Sequence, residues 1–292
     1  MIPAAFDYHR AATLDEAVRL LQELGADARL LAGGHSLLPA MKLRLARPTA
    51  LIDIGRIESL RGVRQQADHV EVGALARHAD LAAAQLPAGL EGVRECAGVI
   101  GDPQVRRRGT IGGSLCHADP SADWPAVALA LEARLVVAGP GGQREVAAVD
   151  WFTGPFMTAL GPGEILAAIR FPRPPARTGS AYVKLARKAS DFAIAGAAAR
   201  VTVDDGGRCT AAGVAVTGVA DVPYRATAVE DLLVGRTLDD DIINEAAGRA
   251  ADAVDPVADV HAPAEYRAQA AQVYVRRALK AALQRAVGRP AA

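Results

Sequence analysis

Two segments of this chain repeat one pattern. Ala32-Gly33-Gly34-His35-Ser36-Leu37 and Thr110-Ile111-Gly112-Gly113-Ser114-Leu115 each have an apolar lead-in, a Gly-Gly pair, a serine and a leucine. Adjacent glycines permit positive φ, which other residues avoid, and remove every Cβ. Successive amides in such a bend can converge on one point and form an anion nest, to which a serine hydroxyl adds a donor. Two matched bends, distant in sequence, could clamp a diphosphate from opposite sides. The nucleoside-triphosphate loop is excluded, because Leu37 follows Ser36 and no lysine lies in 110–114. The dinucleotide fingerprint G-x-G-x-x-G is missing from both segments. Ser36 lies in no G-x-S-x-G elbow and is a poor nucleophile candidate.

Three prolines in Pro172-Arg173-Pro174-Pro175 can continue neither a helix nor a central strand. They place a domain boundary there, giving 1–175 and 178–288. Within 1–175, the first 55 residues read as a β-α-β unit. Thr13 to Glu16 is a capping box, Leu14, Ala17, Val18, Leu21 and Leu24 follow at helical spacing, and 28–32 and 51–54 are strands. Residues 56–175 mix elements. Strands are expected over 69–74 and 165–171 and helices over 78–86, 89–99 and 125–131. A second glycine turn is expected over 109–116 and a hairpin around Gly139-Pro140-Gly141-Gly142. The second unit has strands at 181–186, 193–203 and 211–219. A capping box at Thr227–Glu230 opens one helix, and further helices run over 239–254 and 264–287. Strands followed by helices make an α+β domain, a sheet backed by helices.

Lys and Arg (33) balance Asp and Glu (33), which argues against a general nucleic-acid binder. Hydrophobic residues at 51% and charged ones at 23% exclude intrinsic disorder. No apolar run is long enough to span a membrane and 1–10 lacks a signal-peptide pattern, so a cytoplasmic location is expected. Three scattered cysteines, Cys96, Cys116 and Cys209, make neither a disulfide framework nor an iron–sulfur or zinc site. His78 and His117 have no partners at metal spacing and read as satisfied histidines. Arg106-Arg107-Arg108, the densest basic run, reads as a solvated or inter-subunit face, or as help with phosphates.

The chain resembles the FAD-binding medium subunit of molybdenum hydroxylases, the group of xanthine dehydrogenase and aerobic carbon monoxide dehydrogenase. The likeness is carried by Ala32 to Pro39, Met41 to Leu45, Thr110 to Ser114, Asp119 to Asp123, Glu164 to Leu166 and Lys184 to Ala195, almost the whole length of the chain. It implies a two-part FAD-binding domain of the vanillyl-alcohol-oxidase (PCMH) type, followed by an α+β domain. Ala32, Gly33, Gly34, His35, Ser36 and Leu37 would wrap the FAD pyrophosphate from one side. Thr110, Ile111, Gly112, Gly113 and Ser114 would close the other, with Ile100 nearby. Asp123 would hold a ribose or ribityl hydroxyl, or cap a helix. Leu166 would line the adenine pocket, and Lys184 would approach from the second domain. Phe192 would lie by the flavin ring, where relatives usually carry Tyr or Trp; His35 stands where many carry Gln or Thr. The resemblance implies a large subunit with the molybdenum cofactor, a small subunit with two [2Fe–2S] clusters, and a dimer of heterotrimers. Electrons would pass through FAD to quinone, NAD or oxygen. The rival readings are a self-sufficient FAD oxidoreductase, like the enolpyruvoyl-glucosamine reductases, and a non-redox scaffold.

Overall fold

The computed structural model describes residues 2–252 and 254–288. The chain opens with β1 (Asp7–Arg10), α1 (Leu14–Leu24), β2 (Ala28–Leu31), α2 (Leu37–Lys42) and β3 (Ala50–Asp53). The three strands form a parallel sheet in the order β1-β3-β2. β1 is the strand that local periodicity did not mark. Thr13 caps α1 by accepting from the Glu16 amide at 3.1 Å, and Glu16 reaches back to the Ala12 amide at 2.7 Å. Ala17 and Val18 on α1 and Ile52 on β3 close a small apolar core.

The second part comprises β4 (Val63–Gln65), β5 (His69–Gly73), α3 (His78–Ala82), α4 (Glu91–Val99), α5 (Pro103–Arg106), α6 (Ile111–His117) and α7 (Asp123–Ala130). It continues with β6 (Arg134–Gly139), β7 (Gly142–Ala147), β8 (Phe152–Gly154), β9 (Met157–Thr158) and β10 (Ile165–Pro172). Its antiparallel sheet runs β4-β5-β10-β6-β7. Every residue of α7 is buried, so this helix is interior rather than amphipathic.

The last part has β11 (Thr178–Leu185), β12 (Ala195–Val203), β13 (Cys209–Thr217), β14 (Tyr224–Arg225), α8 (Thr227–Leu233), α9 (Asp240–Ala247) and α10 (Ala264–Ala286). Its four-stranded antiparallel sheet, in chain order, is covered by α10 on one face and by α4 and α7 on the other. Bare backbone makes both contacts close. A Cβ at Gly179 would stand 2.2 Å from the Ala282 carbonyl of α10, and one at Gly213 would stand 2.2 Å from the Ala130 carbonyl of α7. Tyr182, Ala198 and Ala215 of this sheet therefore belong to the same apolar cluster as Trp124 and Trp151.

Several expectations are corrected. The second glycine segment is no turn: Thr110 caps α6, accepting from the Gly113 amide at 3.1 Å. The expected capping box at Thr227 does not form; the cap is Ala226, and the Glu230 carboxylate accepts from the Val214 amide at 2.7 Å and pairs with Arg225. The helix expected over 239–254 ends at Ala247, and the one over 78–86 ends at Ala82. Asp123 is the first residue of α7, not its cap, which is Ala122.

Candidate functional site

The two glycine segments meet. A Cβ on Gly33 would lie 2.3 Å from the Arg108 carbonyl and 2.9 Å from the Gly109 Cα, so only glycine lets the first segment touch the backbone leading into the second. An antiparallel bridge between Arg77 and Thr110 holds that second strand of backbone in place, with the His78 amide donating to the Gly109 carbonyl (3.1 Å) and the Ile111 amide to the Ala76 carbonyl (3.0 Å).

The segments differ in what they offer. Gly34 has φ +78°, and the amides of Gly34, His35, Ser36 and Leu37 have no hydrogen-bond partner among the described residues. A left-handed glycine followed by free amides is the backbone material of an anion nest. In the second segment the amides are committed: Gly112 to the Ala74 carbonyl, Gly113 to the Thr110 hydroxyl and Ser114 to the Thr110 carbonyl. The expectation of two equivalent nests is therefore corrected to one segment with free amides, packed on the backbone that leads into one capped helix start. Gly112 is bare because its Cβ would lie 2.6 Å from that of Ala74. Gly113 is exposed and faces open space apart from the Thr110 hydroxyl. The Ser36 and Ser114 hydroxyls have no partner among the described residues and can still donate.

A cavity of about 160 Å³ opens beside this junction, lined by Ala32 and Thr110 and by Arg61, Arg77, Arg107 and Arg108. Arg77 is paired with Asp80 at 2.9 Å. Arg107 and Arg108 have no acidic partner among the described residues, so the cavity carries net positive charge. Arg106 instead ties down the Ile100 and Gly101 carbonyls at 3.1 and 2.9 Å. A larger cavity of about 300 Å³, between α1 and the β6–β7 hairpin, touches none of the expected site residues.

The remaining expected residues lie elsewhere around α7. Asp123 is 5% exposed; its carboxylate accepts from the Tyr182 hydroxyl at 2.5 Å and pairs with the Lys184 ammonium at 3.1 Å. Lys184 also donates to the Asp191 carbonyl at 3.0 Å. Burial pushes the Asp123 carboxyl above its usual range, with Lys184 and the Tyr182 hydroxyl working against that rise. Burial likewise raises the Tyr182 phenol, which keeps its proton and donates it to Asp123. Phe192 is 61% exposed on the loop after β11. That loop is held to the Asp119–Asp123 segment by the Ala193 amide on the Ser121 carbonyl (3.2 Å). Leu166 is 3% exposed, its side chain inside the core. Ile100 ends α4, half-buried against the same core.

Sequence reading missed Tyr182 and Thr217. The Thr217 hydroxyl lies 2.8 and 2.7 Å from the Pro120 and Ala122 carbonyls. Both act across long sequence separations, and no local signal marks them.

A glycine cradle that a Cβ would fill, free amides and a positive cavity fit a diphosphate-bearing cofactor. Comparison with known proteins says which. The family model described as FAD binding domain in molybdopterin dehydrogenase matches residues 4–174, and that of the CO dehydrogenase flavoprotein C-terminal domain matches 180–282. The chain is 45% identical over 287 residues to the carbon monoxide dehydrogenase medium chain of Afipia carboxidovorans, covering 98% of this chain and 99% of that one. It is 39% identical to the 6-hydroxypseudooxynicotine dehydrogenase complex subunit alpha of Paenarthrobacter nicotinovorans, covering 98% and 97%. A solved carbon monoxide dehydrogenase from Hydrogenophaga pseudoflava superposes with a TM-score of 0.94 at 45% identity, covering 98% and 99%. The chain belongs to the molybdopterin dehydrogenase flavoproteins: an FAD-binding domain followed by the CO dehydrogenase flavoprotein C-terminal domain.

Proposed function

We propose that this chain is the FAD-carrying electron-transfer subunit of a molybdenum hydroxylase complex. The reading rests on the free amides of Gly34–Leu37 and on the contact of Gly33 with the backbone leading into the Thr110-capped α6, in a chain of the flavoprotein family. Those amides, with the Ser36 and Ser114 hydroxyls, bind the FAD pyrophosphate, and the cavity arginines add positive charge. Lys184 and Asp123 neutralise one another beneath the loop that carries Phe192. When bound, FAD supplies both one-electron and two-electron exchange, which suits it to stand between [2Fe–2S] clusters and an acceptor of electron pairs. The chain's own part is to hold that group and exclude water from it.

In this reading a small subunit with two [2Fe–2S] clusters delivers electrons from a large subunit that holds the molybdenum cofactor. The acceptor is a quinone, NAD or oxygen, and the assembly is a dimer of heterotrimers in the cytoplasm. A carbon monoxide dehydrogenase-like complex is the first candidate, on the 45% identity. The relative at 39% is named for a different substrate, so substrate choice is assigned to the large subunit. The units 1–175 and 178–288 each contribute, the first holding the cofactor and the second covering it.

Purification from the native host tests this. A yellow preparation with stoichiometric FAD, and with molybdenum and iron in co-purifying chains, is expected. A colourless chain that takes up no FAD rejects the reading, as does a flavoprotein that oxidises a small substrate unaided.

A further inference from the structure

His78 is a buried side chain whose hydrogen bonding is only half accounted for. It is 4% exposed, at the start of α3. The Trp124 indole N–H lies 3.1 Å from its Nδ1. An indole N–H only donates, so Nδ1 must accept, and the neutral ring carries its proton on Nε2. Burial, reinforced by the nearby positive charge of His35 and Arg106, lowers this imidazole to about 4, so the ring is neutral at ordinary pH. Nε2 has no hydrogen-bond partner among the described residues. A Cβ on Gly109 would stand 2.7 Å from Nε2. On its other side Gly109 meets Gly33, whose Cβ would stand 2.9 Å from the Gly109 Cα. The ring nitrogen is thus packed at the seam where the two glycine segments touch, against Gly109 and one residue away from its contact with Gly33.

This N–H is not sealed from water, so at the seam a bound anion can take the place of water as its acceptor. We propose that the His78 Nε2–H donates a hydrogen bond to the diphosphate of bound FAD at this seam. The assignment rests on the FAD reading above and adds to it a cofactor-binding residue outside the two glycine segments. The donor is uncharged, and its tautomer is fixed from behind by Trp124. His35, Arg106 and the Trp124 indole are the groups that face the ring. Position 78 needs a side chain that presents N–H at that point, which glutamine can do and phenylalanine cannot.

The test uses the full chain stripped of flavin, with ¹⁵N-labelled histidine, titrated with ADP, with adenosine and with FAD. A His78 resonance of the Nε2-protonated type is expected; it should move downfield with ADP and with FAD but not with adenosine. In parallel, His78→Phe is expected to weaken FAD binding about tenfold or more, and His78→Gln to stay within about threefold of the parent. A parent chain that binds FAD while the His78 signal stays still overturns the assignment and leaves the flavin reading intact. So does a folded His78→Phe chain that binds FAD as tightly as the parent. Should His78→Phe fail to fold, the resonance alone decides. A parent chain that binds no FAD at all overturns the flavin reading, and this assignment falls with it.

Discussion

At Gly113 a side chain would meet only the Thr110 hydroxyl, at 2.9 Å, whereas at Gly33 it would strike the Arg108 carbonyl at 2.3 Å. The two glycines therefore do different work, although the sequence presents them as equivalent. Gly113→Val is expected to reduce FAD affinity by about tenfold or more with little change in the melting temperature of the stripped chain. Gly33→Val forces apart two stretches of backbone and is expected to lower the melting temperature itself. Equal melting temperatures for the two variants would contradict this division. His78 carries a second residue-scale prediction. Its folded value of about 4 lies below the ordinary 6.5, so between those values the unfolded chain holds the extra proton. Stability contributed by the neutral ring is thus complete above about pH 6.5 and lost as pH falls toward 4. From pH 7.5 to 5 this amounts to about 2 kcal/mol. Denaturant unfolding at both pH values, for the parent and His78→Gln, checks it; the parent should lose more. Reading His78 from sequence as a satisfied histidine agrees with the Trp124 bond to Nδ1. Spacing rules can show that no metal partners surround a histidine, but they say nothing about which of its nitrogens finds an acceptor.

Two threonine motifs look alike in the sequence and behave differently as elements. Thr13 caps α1 through its side chain, and Thr227 caps nothing because α8 begins from Ala226. Thr13→Ala is expected to cost about 1 kcal/mol in chemical denaturation, and Thr227→Ala less than about 0.5. Equal losses would refute the distinction. The reason lies in Glu230, which in a capping box would turn back to its own helix start. Here it is 8% exposed and satisfies the Val214 amide of β13 and the Arg225 guanidinium. Glu230→Ala leaves the Val214 amide without an acceptor and Arg225 with only its Glu132 pair at 3.1 Å, and is expected to cost about 2 kcal/mol, with FAD content per folded chain unchanged. Element positions were legible where the signal is local: the periodicity of α1, the glycine hairpin between β6 and β7, and the proline break after β10. They were not legible where a distant partner competes for the same side chain. The second glycine segment shows this well. Its Gly-Gly pair reads as a bend, yet the Thr110 cap and the contact of Gly112 with Ala74 settle it as a helix start.

Over the whole molecule, the cofactor domain and the C-terminal sheet are joined at α7 by a buried charged cluster. Asp123 accepts from Tyr182 and pairs with Lys184, both on β11, 59 and 61 residues away in sequence. Thr217, at the end of β13, takes hold of the backbone just before α7, 97 and 95 residues away. Glu95 on α4 reaches Arg285 on α10 and the Tyr182 amide in the same interface. The resemblance named Asp123 and Lys184 as cofactor residues, and the geometry shows that they bind each other across the domain junction. Composition and spacing carry no trace of such a pairing, because each member looks like an ordinary surface charge until the fold buries both. Side-chain exposures of 6% and 5% put the pair beyond the reach of bulk water, where an isolated charge is far more costly than a matched pair. Lys184→Met is therefore expected to destabilise the chain by about 3–5 kcal/mol, by stranding the Asp123 carboxylate. Adding Asp123→Asn should recover most of that loss, since the remaining amide can still accept from Tyr182 and no charge is left unpaired. The coupling measured by this double-mutant cycle should be large and favourable, and it should persist in high salt, because a pair this deep is poorly screened. If the two single losses simply add, the junction is held by its apolar packing, and Asp123 and Lys184 are free to act on the cofactor independently.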